Sequence, residues 1–390
     1  MKIGLIFHRD YPWDVRVEKV CKTLIRKGNE VHLISNNTNG KVNEEVLDGI
    51  HIHRLPNSRF KKLNKVILMP AFFNLYWLFY ICHKTLTHRF DVLIVRDLPL
   101  VLPAWMAAKM FRLPVIYDMA ENYPAMWKIF RSNLKVPALA KILESIALKI
   151  SDHVMVVVEE SRERLLRKGM KSRKVSIVSN TPELDLFEEN ICRYRKEVFE
   201  NNKINLLYIG YLTKLRGLDT VINALPKIVK EESAIKLNII GDGIHLAKLR
   251  ALAEEMGVQE YVDFKGWIDF KYIPYIISKS DIGVIPHHSN EHTNTTIPNK
   301  IFDFMACGKP VIVSDAKPLK RIVEKIGCGV VFEAENSEDF ASKLIYLIKE
   351  NERGQMGLKG EKAVREIYNW DRDAEKLDQI VKDVEARKLV

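Results

Sequence analysis

The stretch TNTTIPNKIFDFMACGKPVIVS, residues 293–314, gathers hydroxyls, a cation and a carboxylate around a proline. Thr295 or Thr296 can cap a helix that Pro298 opens, because proline at a first helical position gives up only an N–H that would have been an orphan. With Ile297 completing the loop, the spacing predicts free backbone N–H groups at the helix start. Asn299, Lys300 and Asp303 then form a polar stripe opposite Ile301, Phe304 and Met305, and Gly308 stops the helix before an apolar strand. That is anion-binding chemistry, suited to a phosphate. The alternative for Asp303 is a surface ion pair with Lys300, worth about 0.3–0.5 kcal/mol at this spacing.

A second basic group lies in INLLYIGYLTKLRGLDTVINAL, where an apolar strand ends at Gly210, Lys214 and Arg216 follow in the loop, and a helix begins near Leu218. Strand, glycine, basic loop and helix start make a phosphate site. The strands KLNIIGDG and VDFKGWID end at Gly241-Asp242-Gly243 and Gly266-Trp267, which adds Gly241, Gly243 and Trp267 to the candidates. The third group is acidic. DVLIVRD and LPVIYDMAENYPAMW are apolar strands whose carboxyl ends carry Asp97, Asp118 and Glu121, the position at which doubly wound sheets bind ligands. Glu121 contacts an acceptor or only caps the turn at Asn122–Pro124. Arg16, in the first turn of a helix from Val15 to Arg26, reaches a substrate phosphate or points to solvent.

FDFMACGKPVIVSD resembles the signature segment of the retaining glycosyltransferases of family four, which have the GT-B fold. The family's usual pattern of two glutamates falls here on Thr295 and Asp303. The segment around Gly210 resembles the motif whose basic residues bind the donor diphosphate, with Arg216 in the principal position and Tyr211 replacing a more usual arginine. DMAE resembles the Asp-x-His-Glu segment that borders acceptor and donor sugar, with Ala120 in place of the histidine, and Asp14-Val15-Arg16 resembles an Asp-x-Arg found in one subgroup. The resemblance is densest from Leu206 to Val313.

These residues need a scaffold of alternating strands and helices, and the sequence supplies one. IGLIF, a helix closed by Gly28 and VHLIS form a strand-helix-strand unit whose connecting loop lacks the glycines of a dinucleotide fold. Strands over 153–158 and 174–180 flank a helix over 159–168, and charged, non-strand sequence at 183–203 separates two α/β halves. The expected domains are residues 1–185, acceptor-binding, and 186–370, nucleotide-sugar-binding, with a terminal helix over 371–390. The resemblance implies two Rossmann-like domains facing a cleft, that helix crossing back to the first domain. Residues 59–82, RFKKLNKVILMPAFFNLYWLFYIC, admit three readings. A transmembrane span usually needs about 20 apolar residues and is weakened by Pro70 and Asn74. A helix buried in the first domain and an interfacial helix flanked by Arg59, Lys61, Lys62 and Lys65 carry more weight.

Composition excludes several classes. A net charge of +11 asks for an anionic partner, but the basic residues are dispersed and no zinc-finger, RNP or KH-like motif accompanies them, so nucleic acid is not expected. The five cysteines are scattered without ligand-like spacing, as in a reducing compartment, and no metal site is expected. The N-terminus reads as a first strand, which points to a cytoplasmic protein with possible docking on the inner face of a membrane. The resemblance implies sugar transfer from a nucleotide-diphosphate sugar to a glycan or lipid-linked acceptor, with retention, without metal or other cofactor. Lys214, Arg216 and the Thr295–Pro298 helix start would stabilise the leaving diphosphate. Two other readings stay open: a nucleotide-sugar 2-epimerase, which needs no acceptor, and a non-catalytic nucleotide-sugar or glycolipid-binding partner.

Overall fold

Ile3, Leu5, Ile6 and Phe7 are at most 2% exposed, which is why their strand shows no polar alternation: a parallel strand covered by helices on both faces is apolar on both. The computed structural model describes the chain except residues 13, 59–60, 70, 131–134, 194–197, 350–351 and 388–390, and of residues 61–62, 130, 135 and 192–193 only the backbone. The chain divides into two compact units, residues 1–180 with 373–390, and residues 181–372.

The first unit holds eight strands: β1 (Lys2–Asp10), β2 (Glu30–Asn36), β3 (Glu44–Leu47), β4 (Ile50–Arg54), β5 (Val92–Arg96), β6 (Val115–Met119), β7 (His153–Val156) and β8 (Val175–Ile177). Their order is β3-β4-β2-β1-β5-β6-β7-β8, parallel throughout except that β3 runs antiparallel on β4. Between β1 and β2 the helix Val15–Arg26 has the bounds its pattern predicts, because the Asp14 side chain accepts from Val17 N at 2.9 Å and Gly28, at φ +81°, ends it. Helix Trp370–Ala386 adds its residues from Asp373 onward to this unit, with Leu377, Val381 and Val384 buried and Glu375 2.5 Å from Lys27.

The basic-aromatic stretch is two helices, Lys61–Ile67 and Leu75–His88, because Asn74 caps the second by accepting from Tyr76 N and Trp77 N. Trp77 and Ile81 are fully buried while Leu75, Phe79 and Leu86 are more than 60% exposed, so this helix is core on one side and solvent-facing on the other. Arg59 lies outside the described residues, as do the side chains of Lys61 and Lys62. Among the described residues no helix is long and apolar enough to cross a membrane.

The second unit holds β9 (Ile204–Ile209), β10 (Ile235–Ile240), β11 (Val262–Gly266), β12 (Ile282–Ile285), β13 (Val311–Ser314) and β14 (Gly329–Phe332). All are parallel, in the order β11-β10-β9-β12-β13-β14. Alternate residues feed opposite faces: Leu206 and Val284 enter one apolar cluster, Leu207 and Ile285 the other. Helix Leu184–Arg193, within the charged stretch expected to part the halves, belongs to this unit.

Candidate functional site

In the second unit the carboxyl ends of β9, β10 and β11 are stitched by backbone bonds, Gly210 N to Ile240 O and Gly241 N to Gly266 O, at 2.9 and 2.7 Å. Gly241, at φ +136°, leaves no room for a side chain, since a Cβ there would lie 2.0 Å from Gly210 O. Gly243 packs on the Leu212 backbone in the same way. After Gly210, Lys214–Arg216 form a single 3-10 turn closed by Gly217 in the left-handed region, and His288 N donates to Leu215 O at 3.0 Å. A Cβ on Gly217 would meet Pro286 O at 1.8 Å. This close approach sets the basic loop against the carboxyl end of β12.

Arg216 then meets a residue that spacing did not single out: its Nη1 lies 3.2 Å from Nε2 of His287, which is fully buried just beyond β12. Lys300 enters the same region, its ammonium 4.0 Å above the Tyr208 ring and buried without a hydrogen-bond partner. Burial and then the Arg216 charge push Lys300 well below the ordinary lysine range, with Asp303 opposing. Burial, Arg216 and Lys300 likewise hold His287 neutral. Arg216 and Lys300 thus stand beside a neutral His287 around the end of β9, and an anion there relieves the cost of the unpartnered Lys300. Lys214, Tyr211 and Trp267 are exposed beside it.

Two readings of the signature stretch need correction. The helix does not open at Pro298 under a threonine cap. It runs Lys300–Ala306, seven residues, from Asn299, whose side chain makes no capping bond. The Thr295 and Thr296 hydroxyls instead donate to the carbonyls of Glu291 and His292, bracing the loop locally, while Ile297 packs on the apolar cluster and Pro298 O accepts from Ile301 N. The helix start therefore lacks the threonine cap that its spacing predicts. Lys300 reaches Tyr208, not Asp303, which stands half-buried on the helix.

In the first unit, Asp97, Asp118 and Glu121 fall at or just after the carboxyl ends of β5 and β6, where Arg96 joins them. Arg16 is neither exposed nor available to a phosphate. It is 2% exposed, its Nε 2.9 Å and its Nη2 2.6 Å from the Asp118 carboxylate, and its Nη1 donates to the carbonyls of Val178 and Ser179. A helix register alone cannot reveal a partner that far along the chain. Burial alone would raise Asp118, but Arg16 and Arg96 hold it below the usual carboxylate range, so it is a structural anion and not a free ligand. Asp97 differs. Burial pushes its carboxyl up, and its backbone sits at φ +67°, ψ +166°, a region that strongly favours glycine. Strain of this kind is held at sites, and Asp97 is the best-marked acid here. Asn122 caps the following helix, its Oδ1 accepting from Ala125 N at 3.3 Å.

Both units are doubly wound, mostly parallel sheets with candidate residues at strand carboxyl ends, the architecture of the GT-B class. The solved sucrose-phosphate synthase from Thermosynechococcus elongatus has this fold, at TM-score 0.83 and 16% identity over 99% of each chain. Residues 14–181 match the glycosyl transferase 4-like domain and residues 193–363 the glycosyl transferases group 1 domain, and the chain belongs to these family-four glycosyltransferases. It is 25% identical, over 62% of its length and 60% of the relative's, to an uncharacterized glycosyltransferase of Methanocaldococcus jannaschii. It is 24% identical, over 50% of its length and 51% of the relative's, to a GDP-mannose-dependent α-(1-6)-phosphatidylinositol monomannoside mannosyltransferase of Mycobacterium tuberculosis. The chain thus spans about half the length of the curated relatives it matches.

Proposed function

We propose that this protein transfers a sugar from a nucleotide-diphosphate sugar to a glycan or lipid-linked acceptor, with retention of anomeric configuration and without metal. The observation that carries the reading is the Lys300 ammonium, buried without a hydrogen-bond partner and sharing its surroundings with Arg216. As the bond to the anomeric carbon breaks, negative charge collects on the departing diphosphate. Cations already in place and desolvated stabilise that charge without reorganisation. Arg216 and Lys300 take this role, Lys214 reaches in from the rim, and Asp303 accepts from the donor's hydroxyls. Asp97 and Glu121 serve the acceptor.

The lipid-linked acceptor has independent support in an apolar groove of about 650 Å³ in the first unit, lined by Phe72, Phe73, Leu75, Leu98, Pro99 and Trp127. Leu98 follows Asp97 directly. The mycobacterial relative is named for a phosphatidylinositol-linked acceptor, and the exposed aromatics Phe73 and Phe79 suit peripheral contact with an anionic membrane. The test is a nucleoside diphosphate panel read by thermal unfolding, in which the right base at 100 times its dissociation constant adds about 2.7 kcal/mol. The matching sugar donor then goes to an acceptor panel with the product anomer read by NMR. An inverted anomer overturns retention, and a panel in which no nucleoside diphosphate stabilises the protein overturns the donor site.

A further inference from the structure

Three histidines that lie far apart in sequence meet in the first unit, away from the strand ends that carry the candidate site. His32 is the third residue of β2, His53 lies on β4, and His88 ends the helix Leu75–His88. The register pairs His32 with His51 and Ile34 with His53, so His32, His51 and His53 share one face of the sheet. One imidazole nitrogen from each of His32, His53 and His88 falls within 4.8 Å of the others. His32 and His53 are buried.

Their hydrogen bonds orient them further. His32 Nε2 lies 2.8 Å from the Glu30 carboxylate, so that nitrogen carries the proton and Nδ1 presents its lone pair inward. Nε2 of His53 stands 2.9 Å from His32 Nδ1 and must donate to it. That tautomer leaves His53 Nδ1 as a bare acceptor. It is buried without a hydrogen-bond partner, and Glu44, whose carboxylate stands 3.6 Å from it, is another acceptor. A buried imidazole in the wrong tautomer for its surroundings is costly. A cation between the rings resolves the conflict. Its binding to His53 Nε2 moves the ring proton to Nδ1, where Glu44 accepts it, and both histidines then stand in the carboxylate–histidine–metal arrangement that orients metal-bound imidazoles. The proton stays on the same ring, and none is lost overall.

We propose that His32, His53 and His88 form a binding site for a first-row transition ion of the zinc class, His32 through Nδ1, His53 through Nε2, with Glu30 and Glu44 as outer partners. Imidazole nitrogen suits zinc, copper and nickel, and zinc–nitrogen distances of about 2.0–2.1 Å set tetrahedral ligand nitrogens about 3.3 Å apart, so His32 Nδ1 and His53 Nε2 part slightly from 2.9 Å while the His88 nitrogen, within 4.8 Å of both, takes up the rest of the adjustment. Lys84, which pairs with Glu44, adds a positive charge that the carboxylate offsets. The site is separate from sugar transfer and anchors β2, β4 and the end of the helix that bears the exposed aromatic face.

The full chain is stripped with chelator and titrated with zinc chloride by calorimetry, then with cobalt chloride by visible absorption. One equivalent of zinc, a tetrahedral cobalt spectrum and a raised Tm are expected. His53→Asn and His88→Asn should each weaken zinc binding by about 100-fold or more, beyond the 10- to 100-fold typical of losing an outer partner. His51→Asn, which removes a ring stacked on His32 but outside the ligand set, should keep it. His88 is only half-buried, so its variant remains interpretable if the His53 variant does not fold. Zinc uptake that is weak and without stoichiometry, or that survives both ligand substitutions, overturns the site.

Discussion

The role proposed for Arg216 depends on its surroundings as well as on its residue type. Its guanidinium is forked, permanently charged and held by a turn whose closing glycine cannot be replaced without meeting a carbonyl. Arg216→Ala should lower turnover by about 100- to 1000-fold, the loss that follows removal of one fixed transition-state donor, while donor affinity falls less. Arg216→Lys should recover part. A raised Michaelis constant at unchanged turnover would assign Arg216 to uniform binding instead. Lys300 makes a complementary prediction about stability. Its folded pKa is depressed, so above that value the unfolded chain binds more protons and stability rises with pH until lysine's ordinary pKa of about 10.4. Lys300→Met should remove that slope and leave the ligand-free protein at least as stable, since an unpartnered buried amine is lost, yet weaken nucleoside diphosphate binding. Chemical denaturation across pH, with and without nucleotide, checks both.

At the scale of elements, the loop from Gly210 to Gly217 and the helix Leu75–His88 make separable predictions. Gly217→Ala faces both a positive φ and a contact of 1.8 Å with Pro286 O, so the loop must move. We expect about 1–3 kcal/mol of destabilisation and a marked loss of donor affinity, measured by urea denaturation and calorimetry. Leu75→Glu with Phe79→Glu should abolish co-sedimentation with anionic vesicles. The fold should survive, because both side chains are mostly exposed and a glutamate in a first helical turn suits the dipole. Undiminished sedimentation would remove the membrane from the proposal. Elements of this kind were largely legible in the sequence: apolar runs marked the parallel strands, and apolar spacing with Gly28 marked one helix. Legibility stopped where a side chain's fate depends on a distant partner. Arg16 looked available to a substrate phosphate or to solvent because Asp118 is remote, and the threonines near Pro298 looked like caps because their bonds to Glu291 and His292 require a loop shape no pattern encodes. His287 and Arg96 were missed for the same reason, as was the cluster around His32.

For the whole molecule, the expectation follows from where the candidate groups lie. Arg216, His287, Lys300 and Asp303 all belong to residues 181–372. A nucleoside diphosphate without sugar or acceptor should therefore slow hydrogen exchange first at residues 209–217 and 285–303, with the Asp97–Glu121 region of the other unit little changed. Equal protection at Asp97–Glu121 would place the diphosphate elsewhere. One consequence of the chain's path concerns its own synthesis. Nascent domains generally fold in the order in which they leave the ribosome. Here the first unit needs residues 373–387, with Leu377, Val381 and Val384 buried, and these emerge after the whole of the second unit. The later-translated unit is the one whose sequence is contiguous, so it can reach its native state first. Until the last helix arrives, the earlier-translated unit waits with an apolar seat open, a stage at which a chaperone that covers exposed apolar surface would have its largest effect.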